Sequence, residues 1–403
     1  MTTSLNNHNH QTRLLLVGPL PPPETGQSVS FEMLCHEVVN RGVSEDIVDL
    51  SRNSESTKPG FSTRRLVEML IILSYFFVAL LRRPDNVYIT IAQSKSGFMR
   101  DAVMIWLCKL LKARVVVHLK GGNYNGFYAK QNPRLQSFIR LTLKQVDKIL
   151  VLGEGLKAMY DFEPGLSTKL SVVPNGLPID LEPMKKSIPA QMSHEPIRLL
   201  FLSNLIQTKG YLHILEALHI LNNAHSRRFH CTFAGRFLPS ADDEIPLSQV
   251  EAKQHFFKTV DRLQLNDIVD YVGPVSGKCK WDLLEKAHIF LLPTKYVNEG
   301  QPVSIIEAMA HGCPCITTNF RAIPDLVVDG VTGSLIDYGE PNQIAESIAN
   351  LTSDNAKFNT MSTAVIDRYQ RLFTRTAHLE RILPLLLGTE ENAVLESDTG
   401  IKN

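Results

Sequence analysis

Short apolar runs rich in β-branched residues alternate along this chain with longer stretches of helical periodicity. Leu14–Val17, Asn86–Ile91, Arg114–His118, Lys148–Leu152 and Ser171–Val173 read as strands. Val29–Val39, Phe98–Leu111 and Leu135–Val146 lie between them and carry apolar residues at helical spacing. Strands that are apolar throughout need cover on both faces, which a parallel sheet between two layers of helices provides. The pattern predicts one βα-alternating domain over residues 13–180.

The pattern breaks at 181–196 (LEPMKKSIPAQMSHEP), a stretch with three prolines and no period that reads as a linker. It then restarts. Strands are predicted at Ile197–Leu202, His230–Ala234, Ile268–Val272, Ile289–Leu292 and Cys313–Thr317, and helices at Tyr211–Leu221 and Val303–Ala310. The polar segment Phe237–Lys258 reads as a loop followed by a helix starting near Leu247. The two halves predict an α/β fold of two Rossmann-like βαβ domains facing across a central cleft, the second over 197–372. No short-period repeat is present, which argues against a solenoid. Ligands in such sheets bind beyond the carboxyl ends of the strands.

Composition adds limits. A length of 403 residues with 44% hydrophobic and 21% charged side chains is enough for two cores. Lys plus Arg total 42 against 41 for Asp plus Glu, a net charge of +1, so no broad basic face for nucleic acid is expected. Six cysteines are too few for a disulfide scaffold. Cys313 and Cys315 lack a second pair at zinc spacing and read as buried thiols in a reducing cytoplasm. The polar ends, 1–12 and 388–403, read as disordered tails. No secretory signal is evident, and no apolar run reaches the roughly 18 residues of a membrane span. Leu66–Leu81 comes nearest, interrupted by Glu68 and flanked by Arg64, Arg65, Arg82 and Arg83. It reads as a buried or surface-docked helix, with an interfacial membrane helix as the alternative.

Asn298–Pro314 (NEGQPVSIIEAMAHGCP) is the most informative stretch. It leaves a strand through a loop shaped by Gly300 and Pro302 and enters a helix. The first free amides of that helix would point into the cleft, where such groups bind phosphate. Glu299 lies in the loop and Glu307 in the helix. Ser304-Ile305-Ile306-Glu307 also has the form of a capping box, in which Glu307 would reach back to the Ser304 amide.

Other candidates follow strands. Ser203–Gly210 (SNLIQTKG) holds Lys209, which could set a point charge on a diphosphate or be a solvated surface lysine. Arg236, after the strand ending at Ala234, is a second cation. Gly18–Ser28 (GPLPPPETGQS) lacks both the G-K-[ST] end of a P-loop and a G-x-G-x-x-G, which argues against an NTPase or a dehydrogenase. Gly26 in that loop would let backbone approach a ligand. His118 ends a strand at the cleft side, where it could meet a ligand or cap the sheet. In Lys120–Lys130 (KGGNYNGFYAK), Asn123, Tyr124, Asn125 and Tyr128 offer polar and stacking contacts to a ligand, and Gly121, Gly122 and Gly126 would let the loop move. The histidines show no metal-ligand spacing, and no Asp-x-Asp pair appears.

Glu299–Pro314, read as E-G-x-P-x-x-x-x-E-A-M-A-x-G-x-P, resembles the E-x7-E signature of retaining glycosyltransferases of family 4, which have the GT-B fold. Pro174-Asn175-Gly176 with Ile179-Asp180, and Asp329–Gly333 (DGVTG), are similar to two further turns of that family. Gly273 follows a strand as in its nucleotide-side loop. The resemblance spans Arg13–Leu387. It implies a retaining transfer from a nucleotide-sugar substrate, UDP- or GDP-linked, with no metal or cofactor. Glu299 would bind the transferred sugar and Glu307 the ribose hydroxyls. Amides around Gly300, Gln301, Pro302, Val303 and Ser304 would hold the diphosphate with Lys209 and Gly26, and His118 would lie near the reactive sugar. The family usually has Arg where this chain has Asn204, which removes one expected charge and leaves Arg236 as a substitute. A helix over 373–387 would cross back to the first domain. The acceptor would be a saccharide or lipid-linked saccharide in cell-surface glycan synthesis. The expected setting is the cytoplasm, with peripheral contact to an anionic membrane. A non-catalytic nucleotide-sugar-binding partner subunit and a GT-B-type nucleotide-sugar epimerase remain as alternatives.

Overall fold

The computed structural model describes residues 12–43, 46–51, 63–182, 184–189, 195–224 and 228–389. The expected tails at 1–11 and 390–403, and residues 183 and 190–194 of the expected linker, lie outside the described residues.

The first half runs β1 (Leu14–Gly18), α1 (Gly26–Asn40), β2 (Asp46–Asp49), α2 (Thr63–Leu80), β3 (Asn86–Thr90), α3 (Lys95–Leu110), β4 (Arg114–His118), α4 (Tyr124–Ala129), α5 (Pro133–Leu143), β5 (Lys148–Val151) and β6 (Leu170–Val172). The second runs β7 (Ile197–Leu202), α6 (Tyr211–Ala224), β8 (Phe229–Ala234), α7 (Gln249–Arg262), β9 (Val269–Gly273), α8 (Gly277–Lys286), β10 (Ile289–Leu292), α9 (Val303–Ala310), β11 (Cys315–Thr318), α10 (Ile323–Leu326) and β12 (Gly333–Ile336). Three helices close the described chain: α11 (Pro341–Thr352), α12 (Asn355–Leu372) and α13 (Arg375–Leu387).

Each half is a six-stranded sheet, in the orders β2-β1-β3-β4-β5-β6 and β12-β11-β10-β7-β8-β9. All recorded pairings are parallel. The continuous apolar runs are the central strands, buried on both faces: β1, β3 and β10 are buried at every position. The strands the hydrophobic pattern does not reveal, β2 and β12, are edges. Their sequences, DIVD and GSLI, are short and half polar because one side lacks a neighbour. The strand expected from Cys313 begins instead at Cys315. Cys313 still belongs to the turn after α9, where its amide donates to the Ala308 carbonyl.

Helix starts are written locally. Thr25 and Ser28 cap α1 reciprocally, Ser248 and Glu251 do the same for α7, and Thr374 caps α13. α13 returns to the first half. Leu379, Ile382, Leu383 and Leu386 form one cluster with Leu14, Leu16 of β1 and Phe31, Leu34 of α1. Its C-cap, Gly388, takes the left-handed conformation (φ 74°).

Candidate functional site

The site is assembled from loops that leave the carboxyl ends of strands in both sheets. After β7 the chain makes a short 3-10 turn at Gln207–Lys209 and enters α6 through Gly210. Gly210 has φ 78°, and a Cβ there would stand 2.3 Å from the Pro293 carbonyl oxygen. Only glycine permits this turn, which carries Lys209 toward the loop after β10. Lys209 Nζ donates to Ser203 Oγ at 2.8 Å and lies 3.2 Å from Glu299 Oε2. Glu299 is 8% exposed, and Thr294 Oγ1 stands 3.4 Å from the same oxygen. Two residues proposed from separate motifs are therefore one ion pair.

Beside this pair the chain enters α9. Pro302 occupies the N-cap position with no side-chain cap, so the first amides of the helix are left for a ligand, water or neighbouring backbone. The capping box expected from Ser304 and Glu307 does not form. The helix begins at Val303, and Glu307 faces α8 instead, where Lys280 Nζ donates to its Oε1 at 2.6 Å. Burial pushes the Glu307 carboxyl upward, and Lys280 opposes that shift. Lys280 Nζ also stands 4.2 Å from the Trp281 ring centroid, and that ring stacks on His311.

Gln301 was expected to offer backbone to phosphate. Its side chain has a different task. Gln301 Oε1 accepts from the Asn175 amide at 2.6 Å, and Asn175 Nδ2 donates to the Gln301 carbonyl at 3.4 Å. The Pro174-Asn175-Gly176 turn is thereby fastened to the α9 loop. Gln301 Nε2 is buried without a partner.

From the first domain, His118 is fully buried, and its Nδ1 is 3.0 Å from the Tyr88 hydroxyl. Its Nε2 is buried without a partner. Burial, then Lys120 and His378, hold this imidazole well below its ordinary pKa. It is neutral at physiological pH, suited to a hydrogen bond rather than a charge. Gly26 opens α1 and faces α9: a Cβ on it would lie 3.2 Å from Val303 Cγ2. Two helix N-termini therefore meet across the cleft.

The 120–130 segment is not an open loop, because α4 forms within it. Tyr124 is 1% exposed, stacked on Tyr160 and edge-on to Phe127, so it is a core residue and not an acceptor contact. Tyr128 stacks on Phe162 with centroids 3.8 Å apart. Asn125 is exposed. Asn123 reaches the site: its amide donates to Gln93 Oε1, and its Nδ2 donates to Asn298 Oδ1 at 3.2 Å, next to Glu299. Gly122 donates to the Asn298 carbonyl, and a Cβ on Gly122 would stand 1.7 Å from the Glu299 carbonyl oxygen. Gly300 abuts the Lys120 carbonyl in the same way, at 2.6 Å. Asn204 and Arg236 are both exposed at the carboxyl ends of β7 and β8, where Leu205 donates to the Arg236 carbonyl. Among the described residues no three His, Cys, Asp or Glu side chains converge to hold a metal.

Sequence reasoning did not single out Lys120 or Lys280 as site residues. Lys120 Nζ donates to Ser30 Oγ and to Asn175 Oδ1, both at 3.0 Å. Burial pushes this ammonium down to about 7. The available signal was its place two residues beyond His118. Lys280 carried no signal, because its partner is 27 residues away on another helix.

Two parallel-sheet domains whose carboxyl-end loops meet in this way define the GT-B class. A crystal structure of Anabaena Alr3699/HepE in complex with UDP aligns with 94% of this chain and 100% of its own, at TM-score 0.67 and 15% identity. Within that class, residues 185–368 match the model of the family glycosyl transferases group 1. Relatives include the amylovoran biosynthesis glycosyltransferase AmsK of Erwinia amylovora, 29% identical over 40% of this chain and 38% of its own. The putative colanic acid biosynthesis glycosyltransferase WcaL of Salmonella typhimurium is 30% identical over 32% of this chain and 33% of its own. The matches thus span less than half the length of these relatives.

Proposed function

We propose that this protein transfers a glycosyl group from a nucleoside-diphosphate sugar, UDP- or GDP-linked, to an acceptor hydroxyl, with retention at the anomeric carbon. The observation that carries the reading is the Lys209–Glu299 pair beside the uncapped N-terminus of α9. Lys209 and the α9 amides would stabilise the leaving diphosphate, a role that preorganised donors fill without a metal. Glu299 would turn to the hydroxyls of the transferred sugar and steady positive charge developing on its ring. Glu307 would share its carboxylate between Lys280 and the ribose hydroxyls. His118, neutral and with Nε2 to spare, would hydrogen-bond the sugar. In front-face attack the donor phosphate itself takes the acceptor's proton, so none of these side chains needs to be a general base.

The names of the relatives favour an acceptor in cell-surface polysaccharide synthesis. A lipid-linked acceptor would suit the surface of α2. Leu70, Ile71, Tyr75 and Val78 are exposed there, and α3 beside it exposes Val103, Trp106 and Leu110. Arginines Arg82 and Arg83 follow α2. Such a face suits the interfacial zone of an anionic bilayer, and no helix among the described residues is long and apolar enough to cross one.

The test is a thermal-shift panel of UDP, GDP and ADP with their sugar conjugates, followed by transfer assays with the stabilising donor. Stabilisation by one nucleoside diphosphate, with the sugar transferred in the donor's own anomeric configuration, is the expected result. No shift with any of them would overturn the reading. The exposed Asn204 in place of the family's arginine favours a second reading, a nucleotide-sugar-binding subunit without turnover. Binding with neither transfer nor donor hydrolysis would establish it.

A further inference from the structure

We propose that Lys120 is a diphosphate-binding residue supplied by the first domain, furnishing the charge that Asn204 does not carry on the second. The proposal rests on the donor class proposed above.

The geometry is specific. Lys120 Nζ bridges Ser30, in the second turn of α1, and Asn175, in the turn that Gln301 clamps. α1 and α9 present their N-termini to each other at Gly26 and Val303, and Gln301 is two residues before Val303. The ammonium therefore sits next to the junction of two positive helix ends, where an anion is favoured. Two further donor-bearing atoms in the same region are unspent: His118 Nε2 and Gln301 Nε2 are buried without partners.

Charge balance supports an anionic guest. The titratable groups that bear on Lys120 and on one another are His118 from β4 and His378 from α13, and both would be cationic if charged. Glu299, the carboxylate two positions before Gln301, is engaged by Lys209. His378 Nδ1 is 2.6 Å from the Pro174 carbonyl. Burial, with no carboxylate paired to it among the described residues, pushes the Lys120 ammonium down to about 7. A diphosphate would draw the proton back and complete a charge-assisted contact.

The test is isothermal titration of the full chain with UDP and GDP at pH 8, in buffers of different ionisation enthalpy. The wild-type chain should take up close to one proton as the nucleotide binds. Lys120→Met should bind about 10- to 100-fold more weakly and without proton uptake. Lys120→Arg, already charged, should restore affinity and still show no uptake, which separates a charge contact from a structural strut. Unchanged affinity and unchanged uptake in Lys120→Met would overturn the assignment while leaving the proposed function standing. Failure of any nucleoside diphosphate to bind the wild-type chain would overturn both.

Discussion

Lys209 Nζ and Glu299 Oε2 stand 3.2 Å apart, joining the turn after β7 to the loop after β10. In the structure each is the other's counter-ion; in the proposed function each would meet a separate group of the donor. Glu299→Ala should lower kcat by about 100-fold or more, with a smaller change in KM, because its contact matters most as charge develops on the sugar. Steady-state kinetics with the stabilising donor measure this. Near-normal turnover would remove Glu299 from the site.

Asn204→Arg should tighten nucleoside-diphosphate binding by about three- to tenfold. A charge-assisted contact replaces a neutral one at an exposed position that costs little to change. Titration with UDP or GDP reads the effect, and an unchanged Kd would place residue 204 away from the phosphates.

Gly122→Ala tests the seam between the domains. The added methyl would meet the Glu299 carbonyl at 1.7 Å, so the loop carrying Glu299 must move. Activity should fall at least tenfold, together with Tm. A fully active variant would mean that the two loops separate in the working state.

Acid should weaken the fold through buried neutral histidines. Burial lowers His378 to about 3, against about 6.5 in the unfolded chain. Its contribution is intact above pH 6.5. As pH falls further the unfolded chain takes up a proton that the folded one refuses, costing up to about 1.4 kcal/mol per pH unit. His378→Gln should therefore show a shallower fall of Tm between pH 6.5 and 4 than the parent. Calorimetry across that range checks it, and parallel curves would refute it.

On the α2 face, Ile71→Asp with Val78→Asp should abolish co-sedimentation with anionic vesicles at low salt. Both side chains are exposed, so stability should shift by no more than about 0.5 kcal/mol each. Vesicle binding that persists in the double variant would exclude this face as the contact.

Much of this architecture is legible in the sequence. Central strands such as β1 and β10 announce themselves because burial on both faces demands continuous apolar residues. The E-x7-E loop and the span of α9 were readable because glycine, proline and the helical period fix them locally. What stayed hidden depends on partners distant in sequence. Glu307 looked like a local cap, but Lys280 on α8 claims it. Gln301 looked like a backbone donor, but its side chain serves Asn175, 126 positions away. Tyr124 looked like a sugar platform because an aromatic among glycines and asparagines suggests an exposed loop. Only the folded chain brings Tyr160 and Phe127 against it.

The return of α13 has a consequence for synthesis. Leu14, Leu16, Phe31 and Leu34 leave the ribosome well before Leu379, Ile382, Leu383 and Leu386, which cover them from the far end of the fold. The nascent first sheet therefore waits, with a greasy strip uncovered, while everything between Leu34 and Leu379 is translated. At about 5–20 residues per second that interval lasts roughly 20–70 seconds. A ribosome that stalls before residue 375 would release a product with that strip still bare, a natural target for chaperones and proteases.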